Sequence, residues 1–403
     1  LSGGVTSPQS GPTGLRARAL GPDLARGFML LFIALANSHY FLRGDSVLGG
    51  FPVGGSAADD AVKLLIATLV DARAFPMFGL LFGYGVAQIA RRQAEAGSSW
   101  RSTRWLLWRR SLFLVVLGFV DVMLFYVGDI LALYGVLLFV GVWALRWKDR
   151  TVLVVALLIF ALTALPGGGD SLVTSAELDP SMLPPDLFTA FEARIAVYPV
   201  IALLGPIGFA CPFLIGVWAG RRRILEQPEK NVTLLTWTAI LGIAGTIAGA
   251  LPASLVLAGI TATPNADTLD DLGVLHDASG VLGGFGYAAL IVLIALRFGR
   301  EPGPIVRAVS AVGQRSLTCY LIQSVMWALV FTPYLADLSD DLTVTTTAVL
   351  ALATWLFTVF LAAWMDRSSY RGPFELLIRR FTYKASTGSP VVTSAARPPR
   401  RMT

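Results

Sequence analysis

The sequence predicts an all-α polytopic membrane helix bundle of about ten transmembrane helices, with N- and C-termini cytoplasmic. Three observations lead there. Of the 403 residues, 55% are hydrophobic and only 14% charged, against about 25% charged in an ordinary soluble domain. That leaves too little charge to coat a soluble globule of this size, and the mean hydropathy is +0.67. Apolar runs recur along most of the chain, and basic residues collect in alternate connections between them.

The runs fall at 24–42, 75–90, 106–127, 130–145, 151–165, 197–219, 232–260, 279–296, 317–335 and 343–364. A helical span needs about 20 residues, so the shorter runs extend into polar flanks. The second run extends back toward residue 61, and the long 232–260 run suits a tilted or kinked helix. If the spans alternate, one side receives Arg16, Arg18 and Arg26, the arginines from Arg91 to Arg110, and Arg146, Lys148 and Arg150. The same side receives Arg221 to Lys230, Arg297 to Arg315, and Arg367 to Arg380. Basic connections mark the cytoplasmic face. The remaining connections are acidic or mixed: 167–196, 261–278 and 337–341.

The polar ends, 1–20 and 384–403, read as disordered, and 21–383 as a single helical membrane domain. A net charge of +6 fits this loop bias better than nucleic-acid binding, which is not expected. Cys211 and Cys319 both sit in apolar runs and suggest neither a disulfide framework nor a zinc site. His39 and His276 are too few for a metal cluster. Small residues four apart, such as Gly79/Gly83 and Gly216/Gly220, let helices approach closely.

Charged and polar groups within spans are costly and usually face a bundle interior or a cavity, so they form the candidate list. Asp23 and Arg26 share a helix face at the start of the first span. They form either an anion site or a structural ion pair. Asn37 and His39 lie near the outer end of that span. His39 suits a general base or an acyl carrier, and the alternative is an interfacial histidine wetted by water. Asp71 and Arg73 precede Phe75-Pro76, where proline suits a helix start, and their simpler role is to mark the interface. Asp121 sits mid-span, and Asp129 lies in a tight turn that brings it back toward the bundle. His276-Asp277 reads as an ordinary loop pair before the eighth span. Gln323 can bond to a neighbouring helix. The Arg101–Arg110 stretch, with Trp100, Trp105 and Trp108, reads as an interfacial segment suited to acidic lipid headgroups. No phosphate-binding loop, dinucleotide fingerprint or zinc-protease motif is present.

Five pieces in order resemble the YeiB-like bacterial membrane protein family, a domain of unknown function. They are Asp23-Leu24-Ala25-Arg26-Gly27 with Asn37; the run FPMFGLLFGYG at 75–85; Tyr126 to Leu131 with Tyr134; GQRSLTCYLIQS at 313–324; and RGPFELLIRRFTY at 371–383. The family usually has Asn where Cys319 stands here. It is similar to a wider group of transmembrane acyltransferases that includes heparan-alpha-glucosaminide N-acetyltransferase. The resemblance implies no tightly bound cofactor and an acyl-CoA donor that enters near Asp23 and Arg26, with Arg109 and Arg110 as further donor contacts. The acceptor would be a hydroxyl or amine of a carbohydrate, lipid or secreted metabolite, entering near His39, Asp71 and Asp129. On this reading His39, Asp129 and Asp121 are catalytic. Asp23, Arg26, Asn37, Asp71, Arg73, Tyr126 and Gln323 bind substrate. The setting is a cell membrane, and a homo-oligomer is compatible with it. A small-molecule or lipid transporter and a non-catalytic scaffold are the competing classes.

Overall fold

A computed structural model describes residues 19–165, 172, 179–298 and 302–383. The expectations for 1–18 and 384–403 lie outside these residues. The described chain is helical almost throughout. Its helices are α1 (Leu20–Ser38), α2 (Ala57–Leu69), α3 (Ala74–Glu95), α4 (Trp100–Leu124), α5 (Leu131–Gly141), α6 (Asp149–Thr163), α7 (Leu187–Leu204) and α8 (Pro206–Arg221). They continue with α9 (Val232–Leu257), α10 (Ala266–Arg297), α11 (Pro304–Gln314), α12 (Ser316–Phe331), α13 (Val344–Arg367) and α14 (Pro373–Tyr383). One antiparallel hairpin, β1 (Val47–Leu48) and β2 (Phe51–Pro52), interrupts them. Its two-residue turn, Gly49-Gly50, has positive φ at both positions (56° and 79°), the geometry that matches strand twist and favours glycine.

Each apolar run lies largely in a helix. Among the described residues, six helical segments are long and apolar enough to cross a membrane: Leu20–Phe41, Ala57–Glu95, Leu187–Arg221, Val232–Leu257, Ala266–Arg297 and Val344–Arg367. Leu131–Arg146 and Ser316–Phe331 are apolar but shorter. This is the architecture of a membrane-embedded helical protein. The other two expected spans, α4 and α6, differ for physical reasons. α4 carries Arg101, Arg104, Arg109, Arg110 and Asp121. The 15 residues of α6 reach only about 22 Å at 1.5 Å per residue, less than a hydrocarbon core of about 30 Å. Two connections are shorter than the sequence suggests, because helix resumes at Leu187 and at Ala266. Asp186 and Asn265 start those helices by accepting backbone N–H groups.

Helix α1 occupies the middle of the bundle, packed against α3, α10, α11, α12 and α13. Its Leu24, Ala25, Met29, Leu30 and Ile33 join the largest buried cluster. Helices α3 and α8 cross closely because Gly83 faces the Phe213 carbonyl and Gly216 the Leu80 carbonyl. A Cβ at either glycine would collide with that oxygen. Such contact replaces the hydrophobic driving force that lipid cannot supply. Large apolar side chains such as Leu157, Leu203, Leu241 and Phe360 point outward, as hydrocarbon contact requires. Both cysteines are free and buried.

Candidate functional site

The starts of α1, α4, α9 and α12 and the ends of α3, α8, α10 and α13 share one end of the bundle, here called the basic end. A cavity of about 260 Å³ opens there. Its polar lining is dominated by arginine: Arg26 of α1, Arg92 of α3, Arg110 of α4, and Arg371 and Arg379 at α14. Behind them lie Met29, Phe78, Leu81, Phe82, Leu114 and Leu131, and then the rings of Tyr134 and Tyr320. The arrangement is a basic mouth over an apolar interior, suited to an anion that carries an apolar arm.

Local folding fixes these groups. Arg26 Nη1 donates to Asp23 Oδ1 at 3.1 Å and Nη2 to the Leu81 carbonyl at 3.3 Å. Asp23 thus pairs with Arg26 as its spacing suggests, and the pair ties α1 to α3. Helix α14 is amphipathic, and its Glu375 accepts the backbone N–H groups of Leu317 (2.9 Å) and Thr318 (3.0 Å). Those are orphan donors at the start of α12, so the carboxylate caps that helix. Burial nevertheless pushes the Glu375 carboxyl above the ordinary carboxylate range, against the opposing effect of the Thr318 bonds. The Arg101–Arg110 stretch begins α4, and Arg104 lies 4.8 Å from the ring centres of both Trp108 and Trp143, a cation–π sandwich.

The acids lie farther along α4. Asp121 sits in its last turn rather than mid-helix, about two turns beyond the cavity-lining Leu114, and is 1% exposed. Its Oδ2 accepts from Ser324 Oγ at 2.9 Å. Asp129 is equally buried. Its Oδ2 accepts the Ala132 N–H at 3.0 Å, and its Oδ1 accepts from the Tyr320 hydroxyl at 3.2 Å. The connection can fold back because α4 has Gly118 opposite it, where a Cβ would strike Asp129 Oδ2 and the Ala132 nitrogen. Tyr126 is buried against Phe41, with ring centroids 5.3 Å apart.

At the opposite end the candidate side chains are enclosed. His39 directly follows α1 and is 1% exposed. It stacks on Phe51 of the hairpin, with centroids 3.7 Å apart and planes 6° apart. Its Nε2 is 3.7 Å from Asp71 Oδ2, and neither ring nitrogen has a hydrogen-bond partner. Asn37 is half-buried two residues earlier. Asp71 and Arg73 occupy the break between α2 and α3, where Ala72 takes φ 59°. Arg73 is fully buried. Its Nε donates to Thr246 Oγ1 at 2.9 Å, and its Nη1 lies 2.9 Å from His276 Nε2. His276-Asp277 is therefore not a loop pair. It lies inside α10, and buried His276 joins Arg73 through a contact 203 residues away in sequence. Gln323 donates to the Leu30 carbonyl of α1 at 3.0 Å, the interhelical bond its position suggests.

The structure thus divides the sequence-derived candidates into three groups. Asp23 and Arg26 belong to the basic end, and Arg26 lines the cavity. Asp121 and Asp129 are buried in the interior, held by Ser324 and Tyr320 one turn apart on α12, and Tyr126 packs on Phe41. His39, Asn37, Asp71 and Arg73 gather at the far end. Arg109 does not line the cavity, whereas Arg110 does. Sequence reasoning did not single out Arg92, Arg371, Arg379, Glu375, Tyr320 or Ser324. Tyr320 and Ser324 carried a signal, since they stand four apart on one face of an apolar helix.

Two comparisons bear on ancestry. Residues 219–385 match a family model described as "Protein of unknown function (DUF418)". The uncharacterized protein YxaH of Bacillus subtilis (strain 168) is 25% identical over 396 residues, covering 90% of this chain and 93% of the relative. The last two motif pieces, at 313–324 and 371–383, lie inside the family match and supply Tyr320, Ser324 and Glu375. Both comparisons bear out the resemblance to the DUF418, YeiB-like family, the family model over 219–385 and the relative over most of the chain.

Proposed function

We propose that this protein is a multi-pass cell-membrane acyltransferase that takes an acyl-CoA at its basic, cytoplasmic end and acylates a hydroxyl or amine entering from the other side. The observation that carries the reading is the cavity, whose five arginines stand over an apolar, tyrosine-ended interior. A CoA thioester has matching parts, with phosphates for guanidinium groups and a long arm and acyl chain for the interior. His39 lies 13 residues beyond Arg26, about 20 Å along the helix axis, which is within reach of an extended arm. It acts as base toward the acceptor or carries the acyl group itself. Asp71 stands beside it, and Asp121 and Asp129 are held by Ser324 and the cavity-lining Tyr320. Asn37, Arg73, Tyr126 and Gln323 shape the acceptor side. Because Phe51 covers the imidazole, an acceptor reaches it only when the hairpin moves. The acceptor is a carbohydrate, lipid or secreted metabolite.

Calorimetric titration of CoA into the purified protein tests donor binding, and thiol release from acetyl-CoA tests transfer. H39A is expected to bind CoA like wild type and to lose transfer by on the order of 100-fold. Transfer at the wild-type rate sinks the role of His39. One observation favours a second reading. The break at Asp71–Arg73 puts charged residues between two helix segments, as at transporter substrate sites. Substrate flux into liposomes without an acyl donor would establish that class instead.

A further inference from the structure

The interior acids are joined to the cavity by one face of α12. Tyr320, Gln323, Ser324 and Trp327 fall at i, i+3, i+4 and i+7, the spacing of a single helix face, and each is at most 3% exposed. Tyr320 lines the cavity and donates to Asp129. The Ile130 N–H donates to its phenolic oxygen at 3.2 Å, which fixes the ring. Ser324 holds Asp121. Asp129 Oδ2 lies against Gly118, one turn before Asp121 on the same face of α4, so the two carboxyls are neighbours, and Asp121 Oδ1 has no donor at all. Among the described residues, neither acid forms an ion pair with lysine or arginine. Arg194 directs its guanidinium at the carbonyls of Ser181, Met123 and Phe125. Two ionised carboxylates so close within a low-dielectric bundle repel strongly, and a proton kept on one of them removes that repulsion.

We propose that Asp121 and Asp129 hold one proton between them and that Tyr320 delivers it into the cavity, to the thiolate that leaves a thioester donor. The proposal rests on the acyl-transfer reading above. In the step, the acceptor heteroatom bonds to the acyl carbon, the C–S bond breaks and the electron pair stays on sulfur. The thiolate takes the phenolic proton, and Tyr320 regains one from the carboxyl pair. His39 takes the proton released by the acceptor and gives it up to solvent on its own side, and the carboxyl pair regains one from water in the cavity. The sum is thioester plus acceptor giving acylated acceptor plus free thiol, with no co-reactant. Tyr320 is then a general acid at the donor side, as His39 is a base at the acceptor side.

Two measurements on the full-length purified protein test this. Infrared spectroscopy should show the carbonyl band of a protonated carboxylic acid in wild type, lost in D129N and in D121N and kept in Y320F. With glucosamine as acceptor probe, Y320F should slow thiol release from acetyl-CoA on the order of 100-fold, yet leave release from the acetyl ester of an acidic nitroaryl thiol near wild type. That leaving group needs no proton, and a merely structural role for Tyr320 would slow both donors alike. Equal slowing overturns the general-acid role. A band that survives both Asn substitutions, with CoA bound normally, overturns the shared proton. Wild-type protein that binds no CoA overturns the acyl-transfer reading and the donor-side role of Tyr320 with it.

Discussion

The two ends of the bundle handle arginine in opposite ways. At the basic end Arg26, Arg92, Arg110, Arg371 and Arg379 surround a cavity, where water and counterions moderate the cost of assembling like charges. At the far end Arg73 is wholly enclosed, and each of its polar contacts is supplied by Thr246, His276 or the Asp71 carbonyl. The first arrangement can exchange partners with a ligand. The second is satisfied internally and fixes the break between α2 and α3. The difference teaches that a charged side chain in a membrane protein is informative about binding when it borders space, and about architecture when its partners are complete.

Substitutions can break or sharpen this contrast. The largest effect is expected at Arg73. R73A removes the donors to Thr246 and the contact with His276, which keeps only the Ala67 carbonyl and Asp277, so stability should fall by roughly 3–5 kcal/mol, read as thermal unfolding in detergent. A variant as stable as wild type would show that the far end is not locked by this residue. Next comes the cavity. R371Q/R379Q should leave unfolding nearly unchanged but weaken CoA binding by at least about tenfold, since one charge-assisted bond contributes roughly 1.5–3 kcal/mol. Unaltered affinity in the titration would remove the arginine mouth from donor binding. The smallest effect concerns Glu375, whose pKa burial raises above the ordinary 4.5. For an acid whose folded pKa is raised, stability is full at low pH and declines as pH rises from the unfolded value through the folded one. E375Q should therefore flatten the fall of the unfolding midpoint with rising pH above about 4.5. A slope identical to that of wild type would assign the fall to other groups.

Much of the helical layout was legible in the chain. Each apolar run became helix because hydrocarbon tolerates backbone only when its hydrogen bonds close within the segment. The Asp23–Arg26 pair and the Gln323 bond to a neighbouring helix were likewise readable from position. Less legible was the partnership of His276 with Arg73. It is set by where α10 passes the α2–α3 break, and no local pattern records that crossing. The amphipathic helices α11 and α14 were also missed, because apolar-run length singles out spans and passes over short helices with one wet face.

What the sequence by itself determined is the membrane character, the succession of helices and the clustering of basic residues at one end, since hydropathy and charge are properties of the chain read in order. The tertiary structure alone decided which arginines border a cavity, that Asp121 and Asp129 are held one turn apart by α12, and that Tyr320 links Asp129 to that cavity. These depend on close approach between helices far apart in sequence. Such approach is set by small residues such as Gly118 and by packing, and its consequences appear only once the backbones are in contact.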